Sequence, residues 1–542
     1  MKRSLLGALA LVCVLSLVLT ACGATPAPTV APTKASEPTK APAVAPTTAP
    51  AGAPAAFKCP KTGGVYTFNY SLPADRFGVP KSVVGYNQFY QNLVMEGFFS
   101  VSNDDLTQYV PRLALSWVLA PDKSSYTFKL RQGVKFHDGS DFNAEVAKWN
   151  LDNWINAKLP QLDKAKSVDI IDNYTIRVNL SGWDATVFND FGAASAMISK
   201  KSFEANGEEW ANTHPIGTGL WRLKSFDRGQ KVVLERFPDY WNKDVGCLAG
   251  IEILQVPDPM TALAMIKKGD VQALYQTDAQ TAYDLRKSDP KYKVDAFGGP
   301  HNVIIMNTTD PASVWSDIRM RQALEYAVDK QSIVDATGFG FARTMYEIIH
   351  SINDTAAKPG TTPRKYDLAK AKALIAEAGH SKGLDVKLTI SANLPKDPFV
   401  ALQRNLADVG INVTLDPVSE IALNQMSRQP SKGSDLMIQP QRGGLPDPIN
   451  GVKEVLTAKS VYFPSLKRPA GFDDLYQKAL MEEDFAKRLA LLAQMEKLAY
   501  DDVMFVPLWA AGITTVDNGA LKGVFWSYAG RPNARFDWAY LP

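Results

Sequence analysis

The chain has 542 residues, 46% hydrophobic and 21% charged, with a net charge of +3. That is globular composition with material for more than one domain, which excludes a mostly disordered chain. So small a charge supplies no concentrated basic face, and no nucleic-acid partner is expected. In chain order, Lys2 and Arg3 precede an apolar run from Leu5 to Leu19 that ends in Leu19-Thr-Ala-Cys22. A basic start, a short apolar core and small residues predict an export signal. The run falls short of the ~20 apolar residues a spanning helix needs, and no later stretch is long enough.

Leu19-Thr-Ala-Cys22 resembles a bacterial lipoprotein signal. The resemblance implies that residues 1–22 are the signal, that Cys22 becomes the lipidated N-terminus, and that the protein works outside the cytoplasm on a membrane anchor. An ordinary signal cut near Ala24 would remove Cys22 instead. Residues 23–57 are almost wholly Ala, Pro, Thr and Val. Such a segment cannot bury a core and is expected to be a disordered tether.

Folded sequence is expected from about Lys58. Strands are predicted at Gly64 to Tyr70, at Ser125 to Leu130, where Tyr126, Phe128 and Leu130 alternate, and at Thr175 to Leu180. Phe142 to Ile155 reads as a helix that Asp141 or Asn143 can cap. Lys231 to Glu235 and Ile251 to Val256 are further strands, and Thr261 to Lys268 is a short helix closed by Gly269. Asp317 can cap a helix from Ile318 to Val334, and Asp367 can cap one that Gly379 ends. Leu384 to Ile390 alternates, a helix carrying Leu402 and Leu406 stops at Gly410, and Ile411 to Leu415 alternates again. Strand, helix, strand predicts a parallel pair with a right-handed crossover in an α/β layer. A long helix is expected from Leu475 to Leu498, with a break near Phe485, and Val503 to Trp509 reads as a buried strand.

Catalytic patterns are absent. No two of the five histidines lie three or four residues apart, so there is no local zinc pair. No Gly-x-Ser-x-Gly elbow and no phosphate loop occur, and no cofactor is expected. Lys135-Phe-His-Asp-Gly139 reads as a turn before a helix, because Asp-Gly suits turn geometry. Gly217-Thr-Gly219 reads as a turn or a close backbone approach. Cys13 lies in the signal and Cys22 at its end, which leaves Cys59 and Cys247 for the folded part. In an exported protein two cysteines form one disulfide or stay as buried thiols.

Several stretches resemble the family 5 solute-binding proteins of ABC importers, which bind oligopeptides, dipeptides or nickel complexes. They are Val94-Met-Glu-Gly-Phe98, Pro111-Arg-Leu-Ala-Leu-Ser-Trp117, and Tyr126 to Gly139. Pro215-Ile-Gly-Thr-Gly-Leu-Trp-Arg-Leu223, Val233 to Trp241, Ile305-Met-Asn-Thr308, Asp317 to Leu324 and Tyr366 to Leu374 follow in family order. The resemblance implies an α/β protein of the periplasmic binding protein type II fold, with three lobes and a ligand cleft between lobes I and III. Lobe I would comprise 58–97, 214–301 and 503–542, lobe II 98–213 and lobe III 302–502. Because the family sets the strands after Cys59 and Cys247 side by side and parallel, it also implies a Cys59–Cys247 disulfide.

The expected function is capture of a peptide or other small organic ligand and its delivery to the permease of an ABC importer. The partners would be that ligand, the permease subunits and the membrane, with the protein a monomer and not an enzyme. The alternative is a ligand sensor or an exported enzyme on the same fold. The family's ligand-covering loop would lie near Asp447. There Arg442 takes the place of a common Trp, and Gly443 and Gly444 stand where an amine-binding Asp is usual. A buried ammonium without a carboxylate is costly, whereas Arg442 offers a planar fork to an anion. Tyr70, Tyr275, Asn307, Arg442, Asp447 and Trp509 are the candidate ligand residues.

Overall fold

The computed structural model describes residues 58–542 except 73, 78, 80–86, 103–107, 159–161, 195, 350–362, 432, 442–446 and 529–531. Cys22, residues 23–57 and Arg442 therefore lie outside the described residues.

Alternating apolar residues build three main sheets, each against its own core. The first has the order Lys293–Phe297, Ile513–Asp517, Ala273–Thr277, Val65–Tyr70, Gly250–Leu254, Lys231–Arg236, Trp221–Asp227. Its centre is parallel, with Val65 opposite Gly250 and Tyr70 opposite Tyr275. Tyr66, Phe68, Ile251 and Ile253 are all buried in one cluster. The second sheet has the order Arg343–Thr344, Val506–Ala510, His301–Ile305, Leu436–Gln441, Leu384–Ser391, Ile411–Val418. The parallel pair predicted from the alternation at 384–390 and 411–415 is present, with Leu384 opposite Ile411. Helix Asp397–Ala407 crosses between these strands and buries Phe399, Leu402 and Leu406. The third sheet is antiparallel: Ala114–Leu119, Ser125–Leu130, Thr175–Leu180, Ala165–Asp172. Helix Ala144–Asn156 covers it, and the Asn143 side chain accepts the Val146 N–H at its start.

Two expectations need correcting. The strand near 503–509 is Val506–Ala510, and it pairs with His301–Ile305, His301 opposite Ala510. Its hydrogen bonds place it in the second sheet with lobe III, so the return to the first sheet starts at Ile513, not at 503. The helix expected over 318–334 is two helices, Ile318–Ala327 and Lys330–Thr337. Asp329 breaks it by accepting the Ser332 N–H, a cap that outcompetes helix continuation. The helix at 88 ends at Val94, and Met95 is extended, so Glu96 lies beyond it. The long C-terminal helix does break, between Phe472–Leu480 and Phe485–Asp501, where Asp484 caps the second half.

Cys59 and Cys247 are joined in a disulfide, with Cα atoms 5.4 Å apart. They enter the adjacent parallel strands Val65–Tyr70 and Gly250–Leu254 from the same end.

Candidate functional site

A largely buried polar knot is centred on Glu96. Glu96 accepts from the Tyr240 hydroxyl at 2.7 Å, the Trp241 indole at 3.0 Å and the Thr218 hydroxyl at 3.2 Å. Arg112 lies 3.9 Å from Glu96 and 3.2 Å from Asp537. Burial pushes the Glu96 carboxyl above its ordinary range, against the pull of Arg112 and its donors. Gly217 and Gly219 pass so close to the preceding helix end that a Cβ would sit 2.2 Å and 2.6 Å from the Val94 carbonyl oxygen. The pair is thus a close backbone approach, as its spacing suggested.

The first and second sheets are joined by two chain crossings. The chain passes from Lys293–Phe297 in the first sheet to His301–Ile305 in the second, and returns from Val506–Ala510 to Ile513–Asp517. These two crossings run side by side, where the Ala511 N–H donates to the Pro300 carbonyl at 3.3 Å. A Cβ at Gly299 would lie 2.0 Å from the Ala511 oxygen, and one at Gly512 would lie 2.0 Å from the Phe341 oxygen. Two short connections between two separately cored sheets have the form of a hinge.

The candidate residues fall into separate groups. Tyr70 and Tyr275 stand opposite each other in the first sheet, ring centroids 5.0 Å apart, and both are fully buried. Phe89 packs on both, and Trp526 stacks on Tyr275 at 4.6 Å. Trp509 lies in the second sheet opposite Asn302, buried, with its ring 5.8 Å from Phe399. Asn307 follows the end of strand His301–Ile305 that points away from the crossings. Its amide donates to the Ser431 carbonyl at 3.0 Å, and its oxygen accepts the Asp310 N–H. Asp447 is held by Arg488, whose Nε and Nη2 reach the same carboxylate oxygen at 2.7 Å and 2.6 Å. Its other oxygen accepts the Ile449 N–H. The structure thus brings Tyr70 and Tyr275 together, sets Trp509 on the other side of the crossings, and pairs Asp447 with Arg488.

Other polar atoms near the crossings have no hydrogen-bond partner among the described residues: Asn302 Oδ1, Gln439 Oε1 and Trp526 Nε1. Buried polar atoms are almost always satisfied, so such exceptions mark places where a ligand or water can be bound. Asn302 and Gln439 had a signal in the sequence, since each interrupts an apolar strand run. Trp526 had none, because the hairpin of Phe525–Tyr528 and Pro532–Arg535 brings it to Tyr275. Among the described residues no group of His, Cys, Asp and Glu is placed to hold a metal ion.

Comparison with known proteins places this architecture. The family profile "Bacterial extracellular solute-binding proteins, family 5 Middle" matches residues 108–463. A glutathione-binding protein, GsiB of Pectobacterium atrosepticum, is 32% identical over 333 residues, covering 60% of this chain and 62% of that protein. The chain therefore spans a little under two thirds of that relative's length. GsiB of Shigella flexneri is 26% identical over 456 residues, 81% of this chain and 86% of that protein. Among solved structures, NikA from Brucella suis in complex with Fe(III)-EDTA superposes with a TM-score of 0.78 at 21% identity, covering 88% of this chain and all of that one. DppA from Helicobacter pylori in complex with the peptide STSA gives 0.74 at 21% identity, covering 89% and 98%. These two show the fold, the periplasmic binding protein type II architecture. The profile match covers well over half of the chain, and the chain belongs to the family 5 bacterial extracellular solute-binding proteins.

Proposed function

We propose that the protein captures a small peptide-like, anionic ligand between lobes I and III and hands it to the permease of an ABC importer. The observation that carries this reading is the pair of short crossings that joins two separately cored sheets. Such a join lets one body swing toward the other around a ligand at little internal cost. Tyr70, Tyr275 and Trp526 pack in the core against the first sheet and Trp509 in that of the second, on the two sides of the crossings. Asn302 and Gln439 supply acceptors beside the crossings. Capture needs no reacting groups, in keeping with the absence of catalytic motifs in the sequence. Cys22 carries the lipid in this reading, and residues 23–57 tether the receptor outside the cytoplasm.

The ligand class follows from Arg442 and from Asp447. With Asp447 neutralised by Arg488, this acid is not free to pair with an ammonium. Arg442 is then the charged group of the ligand-covering loop, and it selects a carboxylate. A γ-linked peptide such as glutathione, whose ammonium sits beside its own α-carboxylate and whose second carboxylate is left for Arg442, suits that balance, and relatives are named for binding it. Calorimetric titration of reduced glutathione and of Ser-Thr-Ser-Ala into wild type and Arg442→Ala tests the reading. Tighter binding of glutathione, weakened ten- to hundredfold in Arg442→Ala, is expected from one charge-assisted hydrogen bond of about 1.5–3 kcal/mol. Equal affinity in both proteins would remove Arg442 from the site.

A further inference from the structure

Lobes II and III meet directly, away from the crossings. The contact on lobe II is the segment from Trp183 to Asp190. On lobe III it is Lys453 and the junction after helix Phe472–Leu480. Lys453 Nζ lies 2.9 Å from Thr186 Oγ1, 3.3 Å from Asp190 Oδ2 and 3.9 Å from Asp163 Oδ1. Thr186 is fully buried and gives its own hydroxyl hydrogen to Asp184 at 2.6 Å, so its oxygen presents lone pairs to the ammonium. One residue earlier, the Ala185 N–H donates to the Leu480 carbonyl at 2.8 Å. That carbonyl ends a helix and has no partner within it. Lys123 of lobe II, lying over the Trp183 ring, makes an ion pair with Glu483 of lobe III.

This contact differs in kind from the knot between lobes I and II. There a largely buried arginine of lobe II, Arg112, reaches two acids of lobe I, Glu96 and Asp537, and Tyr240 and Trp241 hold Glu96 in place. Here the polar contacts include a partly exposed cation, a backbone hydrogen bond and a surface ion pair, with Ala185 packed against the lobe III core. Such a set is strong enough to bias an equilibrium and weak enough to break.

We propose that Lys453, with the 183–190 segment facing it, is a latch that holds lobes II and III together and so sets the fraction of molecules in the closed form. Lys453 is then a positioning residue for ligand capture that acts without touching the ligand. The inference rests on closure as the mode of capture. Its physical basis is that removing Lys453 leaves Asp190 enclosed by the interface without its cation, beside Asp184 and Asp163. An uncompensated carboxylate disfavours the closed arrangement.

The test reads closure without any ligand. Spin labels at Lys166→Cys on lobe II and Lys487→Cys on lobe III, both exposed positions, report the interlobe distance in the full-length protein. Lys453→Met should shift the distance distribution to longer values, Lys453→Glu should shift it further, and Lys453→Arg should retain the wild-type distribution. Lys453→Met with Asp190→Asn should recover much of the short population, because no unpaired charge remains. With reduced glutathione as the probe, Lys453→Met should release it about five- to tenfold faster. Unchanged distances in both Lys453→Met and Lys453→Glu, with melting curves showing folded protein, would overturn the latch. Failure of glutathione to bind the wild type would count against the ligand reading alone, since the distances decide the latch by themselves.

Discussion

Arg488→Met is the perturbation whose magnitude the structure defines best. Arg488 and Asp447 are both about nine-tenths buried, and the guanidinium binds one carboxylate oxygen through Nε and Nη2. Its Nη1 also donates to the Glu482 carbonyl at 2.6 Å and the Glu483 carbonyl at 3.3 Å. One side chain thus fastens the break between helices Phe472–Leu480 and Phe485–Asp501 to Asp447. Removing it leaves a carboxylate buried without compensation and frees two carbonyls. Breaking a buried pair from one side costs about 3–5 kcal/mol. The double variant Arg488→Met with Asp447→Asn removes the stranded charge and should lose only about 1–2 kcal/mol, the worth of the remaining hydrogen bonds. Equilibrium urea unfolding, followed by tryptophan fluorescence, measures both. A loss below about 1 kcal/mol in the single variant would mean the pair behaves as a surface ion pair. A double variant no more stable than the single one would refute the stranded-charge argument.

Three further outcomes are expected. Replacing Cys59 and Cys247 together by Ala reopens a loop of 188 residues and should cost up to about 5 kcal/mol in unfolding free energy by chain entropy; a change within error in denaturant titration would contradict it. Cys22→Ser should abolish palmitate incorporation and membrane retention, and equal labelling of wild type and variant would sink the anchor. Closure should depend on pH through Asp190, which faces Lys453 across the interface, with Asp184, Tyr109 and Tyr476 nearby. Burial pushes its carboxyl up to about 6, outweighing the attraction of Lys453. A raised value in the closed form means that closing takes up a proton. The closed state is therefore favoured most below the ordinary carboxylate range, and that advantage is lost as pH rises through about 6. Interlobe distances in the wild type should shorten between pH 7 and pH 4.5, and Asp190→Asn should flatten the response; lengthening in the wild type would contradict the sign.

What the sequence made legible was local. Asn143, Asp317 and Asp367 each cap the helix that follows, because capping needs only a side chain and the backbone two or three residues on. The 384–415 crossover was readable because its alternation and its Gly379 and Gly410 stops lie within a few dozen residues. The site was less legible, since its members are set by distant partners. Asn307 reads as a strand-end residue, but its amide is bound by Ser431, 124 residues away. Asp447 reads as a ligand acid, but its partner is 41 residues along the chain. Lys453 has no sequence signal at all, because Thr186 and Asp190 reach it only once two lobes have folded. The strand at 506–510 was recognised as a strand but assigned to the wrong sheet, for its apolar run does not say which neighbour it will pair with.

The central claim, that this family 5 protein is a capture device for a small peptide-like molecule, is tested most directly by native mass spectrometry of the full-length protein purified without unfolding. The account predicts a population carrying one small molecule of peptide-like composition per chain, lost on denaturation and restored by adding reduced glutathione or a peptide hydrolysate to the refolded protein. A bare chain in every preparation, with nothing retained after incubation with glutathione or hydrolysate, would contradict it.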